Sequence, residues 1–314
     1  MKKTVLINDS FHPAGMQLLK DKNFDLHFGA YKGQELVDFI NQHQIQSLLV
    51  RSATKVNRQI IENCPSLKHI GRGGVGMDNI DEETCKEKGI IAFNTPGGST
   101  TAVAEMVFAH LLSYYRYISE SNKHISQNIS ELGKLKKEFS KGHELKGKTI
   151  GVIGTGRIGC EVIRLALSFG MKVIAYHPSK NEIIIPFNIS ENKFDIKIAI
   201  SSLNDLLKES DIISLHIPHQ NKPILTRELF QEMKKGVVLI NTSRSSNVDE
   251  ADLLEAINNE IVSHASLDVF NSNTNTELLL HKNISITPHL GASTEEAQEK
   301  ISIEIAQKLI SLTI

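Results

Sequence analysis

The sequence predicts an α/β fold with two doubly wound parallel sheets, and three observations predict it. Short β-branched runs alternate with helical patterns along the chain, the order that makes parallel β-α-β units. One glycine-rich turn, Gly154-Thr155-Gly156-Arg157-Ile158-Gly159, lies between such a run and such a helix. Finally, 314 residues suit two domains at roughly 100 to 200 residues each.

Taken in order, the first strands are expected at Val5 to Asn8, Ser47 to Arg51, His69 to Gly71 and Ile90 to Asn94, with helical stretches such as Glu35 to Gln42 between them. Thr101 to Tyr117 reads as one long, largely apolar bridging helix, and Ser119 to Lys148 as a polar, lysine-rich surface arm. A second series follows: strand Thr149 to Ile153, helix Arg157 to Phe169 stopped by Gly170, and strand Val173 to Tyr176. Gly170 stands where a left-handed helix cap belongs. Further strands are expected at Ile212 to His216, Val237 to Asn241, Ser263 to Val269 and Ile284 to Thr287. Helices at Leu203 to Lys208, Thr226 to Lys234 and Asp249 to Asn259 separate them. The stretch from Asn181 to Ile200 fits an extra strand or hairpin.

Composition excludes several classes of function. Lys and Arg number 35 against 36 Asp and Glu, a net charge of −1, which gives no electrostatic case for nucleic acid or an anionic membrane surface. Cys64, Cys85 and Cys160 are far apart, so neither a zinc knuckle nor a disulfide framework is readable. The start of the chain lacks the apolar core of a signal peptide, and no run reaches the roughly 18 apolar residues of a membrane span. A cytoplasmic protein is expected. His216 and His219 straddle a proline and no H-E-x-x-H occurs, so no metal site is expected.

The glycine turn carries chemistry. Gly154 permits a tight turn, Gly156 lets backbone approach a pyrophosphate, and Gly159 lets helix and strand pack closely, with the helix N-terminus facing the anion. A site for NAD would carry an acidic residue about 20 residues on, to hold the ribose diol. His177 stands there, followed by Pro178-Ser179-Lys180. Ser179 and Lys180 could meet a 2′-phosphate, so NADP stays open beside NAD.

Further segments point one way: Arg72-Gly73-Gly74-Val75-Gly76-Met77-Asp78-Asn79-Ile80-Asp81, Asn94-Thr95-Pro96-Gly97-Gly98, Val103-Ala104-Glu105, Leu215-His216-Ile217-Pro218, Asn241-Thr242-Ser243-Arg244, Leu267-Asp268-Val269-Phe270 and Thr287-Pro288-His289-Leu290-Gly291. With the glycine turn, they resemble the D-isomer-specific 2-hydroxyacid dehydrogenases, most closely the short phosphoglycerate dehydrogenases. The resemblance implies a Rossmann-type dinucleotide-binding domain at about 100 to 289, including the bridging helix and a dimer arm. It also implies a flavodoxin-like substrate domain made of residues 1 to 99 plus 290 to 314, a cofactor cleft between the domains, and a homodimer. With the chain ending at Ile314, no regulatory domain and no serine feedback are expected.

By the same resemblance Arg244 anchors the substrate carboxylate, a task that suits a planar guanidinium, and His289 takes the hydroxyl proton in oxidation. Cofactor contacts carried over are Gly154, Gly156, Arg157, Ile158, Gly159, position 177, His216, Pro218, Thr242 and Asp268, the last expected near the nicotinamide carboxamide. Substrate contacts are Arg51, Ser52 and the backbone amides of Gly74, Val75 and Gly76, with Lys55 a further candidate for a second anionic end. The family's histidine-paired glutamate falls on Asn273, within Asn271-Ser272-Asn273-Thr274. An amide can orient a histidine but cannot stabilise its charged form. A slowed enzyme is therefore expected, with its reductive pH optimum displaced downward unless Glu277 substitutes.

The implied reaction is NAD-dependent oxidation of D-3-phosphoglycerate to 3-phosphohydroxypyruvate, the opening step of serine synthesis. Two rivals remain. One is an NADPH-dependent reductase of glyoxylate or hydroxypyruvate, favoured by His177 and Lys180. The other is a catalytically weak NAD(H)-sensing protein, favoured by Asn273.

Overall fold

The computed structural model describes residues 3–127, 129–271 and 273–313. They divide into two compact units, Met1–Thr100 with Ala292–Ile314 and Thr101–Gly291.

In the first unit five strands, β1 Lys3–Ile7, β2 Phe24–Phe28, β3 Ser47–Val50, β4 His69–Arg72 and β5 Ile91–Asn94, form one parallel sheet in the order β2-β1-β3-β4-β5. Successive side chains of a strand point to opposite faces, and here both faces are covered. Leu6, Leu48 and Val50 pack with Leu36, Ile40, Ile60 and Ile61 on one side. Val5, Ile7 and Leu49 pack on the other with Leu19, Ile305 and Leu309 of the returning helix Glu295–Thr313. That helix lies so close to helix Pro13–Asp21 that a Cβ on Gly15 would sit 2.0 Å from the Ser302 carbonyl oxygen. Continuous β-branched and leucine runs are what a parallel sheet buried on both faces requires.

The second unit holds β6 Thr149–Ile153, β7 Lys172–Tyr176, a hairpin of β8 Glu182–Ile189 and β9 Asn192–Ala199, then β10 Ile212–Leu215, β11 Val237–Asn241, β12 Val262–Leu267 and β13 Ile284–Ile286. Six of these make a parallel sheet ordered β13-β12-β11-β10-β6-β7. Where a doubly wound sheet would carry one more strand outside β7, the chain supplies a single parallel bridge, Ala175 to Ile200, at the exit of the antiparallel hairpin. Ile183, Ile185 and Phe187 turn inward from β8 onto Val162, Ile163 and Ala166 of helix Arg157–Ser168. The extra-strand-or-hairpin stretch is therefore a hairpin, doing the covering work of a helix on that face.

Other expectations shift. The strand Phe24–Phe28 and the helix Pro13–Asp21 are additions. The bridging helix spans Thr100–Tyr115 and stops before Tyr117, whose φ of +53° leaves helical space. The polar arm contains helices Ile118–Gln127 and Leu132–Glu138. Helix Arg157–Ser168 ends before Gly170, which has the left-handed φ of +71°. Among the described residues no helix is long and apolar enough to cross a membrane.

Candidate active site

In an open parallel sheet, ligands collect beyond the carboxyl ends of the strands, where the strand order reverses. The second unit reverses between β6 and β10. The glycine loop leaves β6, His177 follows β7, His216 follows β10, Arg244 lies beyond β11, Asp268 follows β12 and His289 lies beyond β13. Fold topology thus places every expected cofactor and catalytic residue of this unit on one edge of one sheet.

The glycines do three different jobs. Gly154 has φ +100°, and a Cβ there would stand 2.6 Å from the His216 carbonyl oxygen, across the reversal point. Gly159 admits no Cβ because the Gly154 carbonyl oxygen would be 1.9 Å away. Gly156 caps helix Arg157–Ser168 and has nothing within 4 Å of its missing Cβ, so the helix N-terminus opens on free space. Thr155 and Thr242 bury their hydroxyl oxygens without a hydrogen-bond partner. A helix N-terminus, an open glycine and two orphaned hydroxyls suit a dinucleotide with a pyrophosphate and polar ribose and amide groups.

At the ribose end, His177 Nδ1 accepts the backbone N–H of Ser179 at 3.2 Å, with the Ser179 hydroxyl 3.4 Å away. Lys180 is exposed, but its head folds back. Its ammonium donates to the Thr155 carbonyl of the glycine loop at 2.8 Å. His216 Nε2 lies 2.8 Å from the Ser214 hydroxyl, and burial pushes its pKa down to about 3, so the ring is neutral. Pro218 is exposed beside it.

Arg244 owes its placement to residues whose motif was visible but whose roles were not. Asn241 Nδ2 donates to the Arg244 carbonyl at 2.9 Å, and Asn241 Oδ1 accepts both the N–H and the hydroxyl of Ser243, at 3.0 and 2.8 Å. Asn247 then donates to the Ser243 hydroxyl at 3.1 Å. The guanidinium folds over this knot, donating to the Ser243 carbonyl at 2.8 Å. Asn241, Ser243 and Asn247 are all buried, so the knot is stiff.

His289 is exposed and has φ +58°, a left-handed conformation uncommon for a residue with a side chain. Asp268, 1% exposed, holds the turn around it. Its Oδ1 accepts the Thr287 hydroxyl at 2.5 Å and the Leu290 N–H at 2.7 Å, and its Oδ2 accepts the Gly291 N–H at 2.8 Å. A carboxylate has about four lone-pair sites, so one remains for an outside donor such as a carboxamide. Asp268 is thus first a clamp on the His289 loop, a role invisible until β12 and β13 are laid side by side.

Asn273 is exposed, in the turn closed by the Thr274 N–H to Asn271 carbonyl bond of 3.1 Å, while Ser272 lies outside the described residues. Glu277 is exposed in the first turn of helix Thr276–Leu280, its N–H capped by Asn275.

The first unit reverses between β1 and β3, and Arg51 sits at that point. Its N–H is held by Asp9 at 2.5 Å, and its guanidinium donates to Gln298. Burial lowers the Arg51 pKa while Asp9 raises it. Ser52 and Lys55 are exposed. The expected anion cradle of Gly74, Val75 and Gly76 needs one correction: the Gly74 N–H is already taken by the buried Thr95 hydroxyl at 2.7 Å. Only Val75 and Gly76 remain as candidate amides. Among the described residues no group of three His, Cys, Asp or Glu side chains could hold a metal ion.

Comparison with known proteins identifies the family. Residues 108–291 match the family model described as D-isomer specific 2-hydroxyacid dehydrogenase, NAD binding domain. The chain is 40% identical to a hydroxypyruvate reductase of Thermotoga maritima, over 97% of this chain and 96% of that one. It is 37% identical to a D-3-phosphoglycerate dehydrogenase of Methanocaldococcus jannaschii, over 97% of this chain and 56% of that one, so it spans little more than half that relative's length. A solved D-lactate dehydrogenase of Aquifex aeolicus, complexed with NAD and lactic acid, superposes with a TM-score of 0.79 at 29% identity, covering 99% of this chain and 95% of that one. The chain belongs to the D-isomer specific 2-hydroxyacid dehydrogenase family. It is an oxidoreductase acting on the CH–OH group of a D-2-hydroxy acid with a nicotinamide dinucleotide.

Proposed function

We propose that the protein oxidises D-3-phosphoglycerate with NAD, in the cytoplasm, as the opening step of serine synthesis. The observation that carries the catalytic part is that two stiffly held groups lie beyond strands of one sheet, on either side of β12: Arg244, beyond β11, on its asparagine–serine knot and His289, beyond β13, on its Asp268 clamp. In this reading Arg244 takes the substrate carboxylate and polarises the C2 oxygen. His289 accepts the hydroxyl proton as the C2–H bond breaks, and returns it in the reverse direction. The dinucleotide, held by Gly154, Gly156, Arg157, Ile158, Gly159, His177, His216, Pro218, Thr242 and Asp268, supplies the hydride acceptor. Arg51, Ser52, Val75 and Gly76 serve the substrate. Asn273 stands in for the glutamate that would steady a charged imidazole, and the reductive direction is slowed accordingly.

Support for phosphoglycerate comes from the 37% relative and from Arg51, a cation at the reversal point of the first sheet whose guanidinium donates to the neutral Gln298 side chain. The three free cysteines suit a reducing compartment. A homodimer is supported by Ile118 and Ile125, seven residues apart on helix Ile118–Gln127 and 55% and 36% exposed, together with Leu132 at 56%. A second reading, reduction of hydroxypyruvate, is favoured by the 40% relative, which the chain matches over nearly its whole length. Initial rates followed at the reduced nicotinamide absorbance, with D-3-phosphoglycerate and with hydroxypyruvate and either cofactor, separate the two. A kcat/KM for hydroxypyruvate above that for the phosphorylated pair would replace the first reading by the second. Turnover of neither, despite nucleotide binding, would leave a sensor.

A further inference from the structure

The loop that carries His289 is held from behind by a hydrogen-bonded chain that starts on helix Thr100–Tyr115. Most inward positions of that helix are apolar, among them Val103, Val107, Phe108 and Leu111. His110, only 8% exposed, is the exception. Burying an imidazole there is unfavourable unless its polar atoms are partnered. Its Nε2 lies 3.3 Å from the Thr287 hydroxyl, which lies 2.5 Å from Asp268 Oδ1, and Asp268 accepts the N–H groups of Leu290 and Gly291 on either side of a tight carboxylate.

Counting hydrogens fixes the direction of every bond. A carboxylate that accepts two amides and a hydroxyl has no hydrogen to give, so Thr287 donates its single hydrogen to Asp268. The Thr287 oxygen can then only accept from the ring, and His110 must supply the hydrogen from Nε2. The neutral ring is therefore the Nε2–H tautomer. Burial lowers the His110 pKa, which keeps it neutral, while Asp268 acts the other way. The titratable groups facing it are Asp268, just beyond β12, and His264, within β12.

We propose that His110 is a positioning residue for the reaction: by donating to Thr287 it orders the hydroxyl and the Asp268 carboxylate that hold the His289 turn in its left-handed form. The inference rests on the reading of His289 as the proton-transfer group. His110 is not placed against the reacting atoms; it acts through Thr287 and Asp268.

His110→Met keeps the apolar fit and removes the donor, whereas His110→Gln restores an N–H at similar reach. The expected result is a roughly fivefold to tenfold fall in kcat for His110→Met, the size of one lost buried hydrogen bond, with the substrate KM little changed and most of the rate recovered in His110→Gln. Thr287→Val should show the same defect, and the double variant should be no worse than Thr287→Val alone, since both break one chain. Unchanged kcat in His110→Met, no recovery in His110→Gln, or additive losses would each overturn the proposal. Nitrogen NMR of the His289 ring in substrate-free protein gives a readout independent of turnover. If no hydroxy acid is turned over by the parent yet the His289 signals move in His110→Met, the positioning stands and the catalytic reading falls. If those signals stay put, the positioning itself is wrong.

Discussion

The Lys180 ammonium donates to the backbone carbonyl of Thr155 at 2.8 Å, so the one cation of the ribose-end segment is folded onto the glycine loop. A 2′-phosphate would have to draw it away or share it, while the ribose diol of NAD makes no such demand.

Lys180→Ala should therefore weaken NADP binding by about tenfold or more, the loss of a charge-assisted contact, and change NAD binding by less than about threefold. His177→Asp should strengthen NAD by about tenfold by supplying the missing diol acceptor. Fluorescence titration of the reduced dinucleotides checks both. Equal losses for the two cofactors in Lys180→Ala would mean that the lysine serves only the loop.

Arg244→Lys should lower kcat/KM by roughly 10- to 100-fold, because a point charge replaces a planar fork at a carboxylate. Nucleotide affinity should hold, since the arginine is assigned to substrate alone. Steady-state rates alongside a nucleotide titration test the division. A parallel loss of dinucleotide binding would remove Arg244 from its assigned role.

Much of this was readable in the chain. The strands β6, β10 and β11 stand out as dense Val, Ile and Leu runs because both faces of a parallel sheet are buried. The glycine loop is legible because each glycine answers a different steric demand. The strand Phe24–Phe28 is not, since Asp25 and His27 interrupt it at the sheet edge, where one flank is open. Nor is the Asp268 clamp, which joins groups 19 to 23 residues apart through strand pairing that no local pattern encodes. Asn241 and Ser243 stood inside a recognised motif, yet their service to Arg244 depends on side-chain directions that only the fold supplies.

Asn273→Glu should raise the reductive rate at neutral pH and move the reductive pH optimum upward, because a carboxylate stabilises a charged imidazole and an amide does not. The oxidative rate should change less. Rates measured from pH 5 to 9 for both proteins decide. An unmoved profile would show that the exposed turn at 273 never reaches the histidine.

His264 supplies a pH test of stability. Burial, reinforced by His110, pushes its pKa down from 6.5 to about 4, and the ring stacks on Tyr114 at 4.0 Å. The unfolded chain takes up that proton near pH 6.5 and the folded chain only near pH 4. Its contribution to stability is therefore fully present above pH 6.5 and declines as pH falls towards 4, by about 2 kcal/mol between pH 8 and 5. His216, pushed down to about 3 by burial, acts in the same direction. His264→Phe keeps the stacked ring and should flatten, without abolishing, the fall in melting temperature between pH 8 and 5. Parallel melting curves for the parent and His264→Phe would contradict the assignment.

The left-handed backbone at 289 bears on how that imidazole can be probed by mutagenesis. A valine or isoleucine there would fight the main chain before it altered any proton transfer, so a dead variant of that kind would say nothing about acid–base chemistry. Asparagine tolerates the same dihedral angles and lacks a titrating ring. His289→Asn is therefore the clean control, separating loss of the proposed proton carrier from collapse of the bend that presents it.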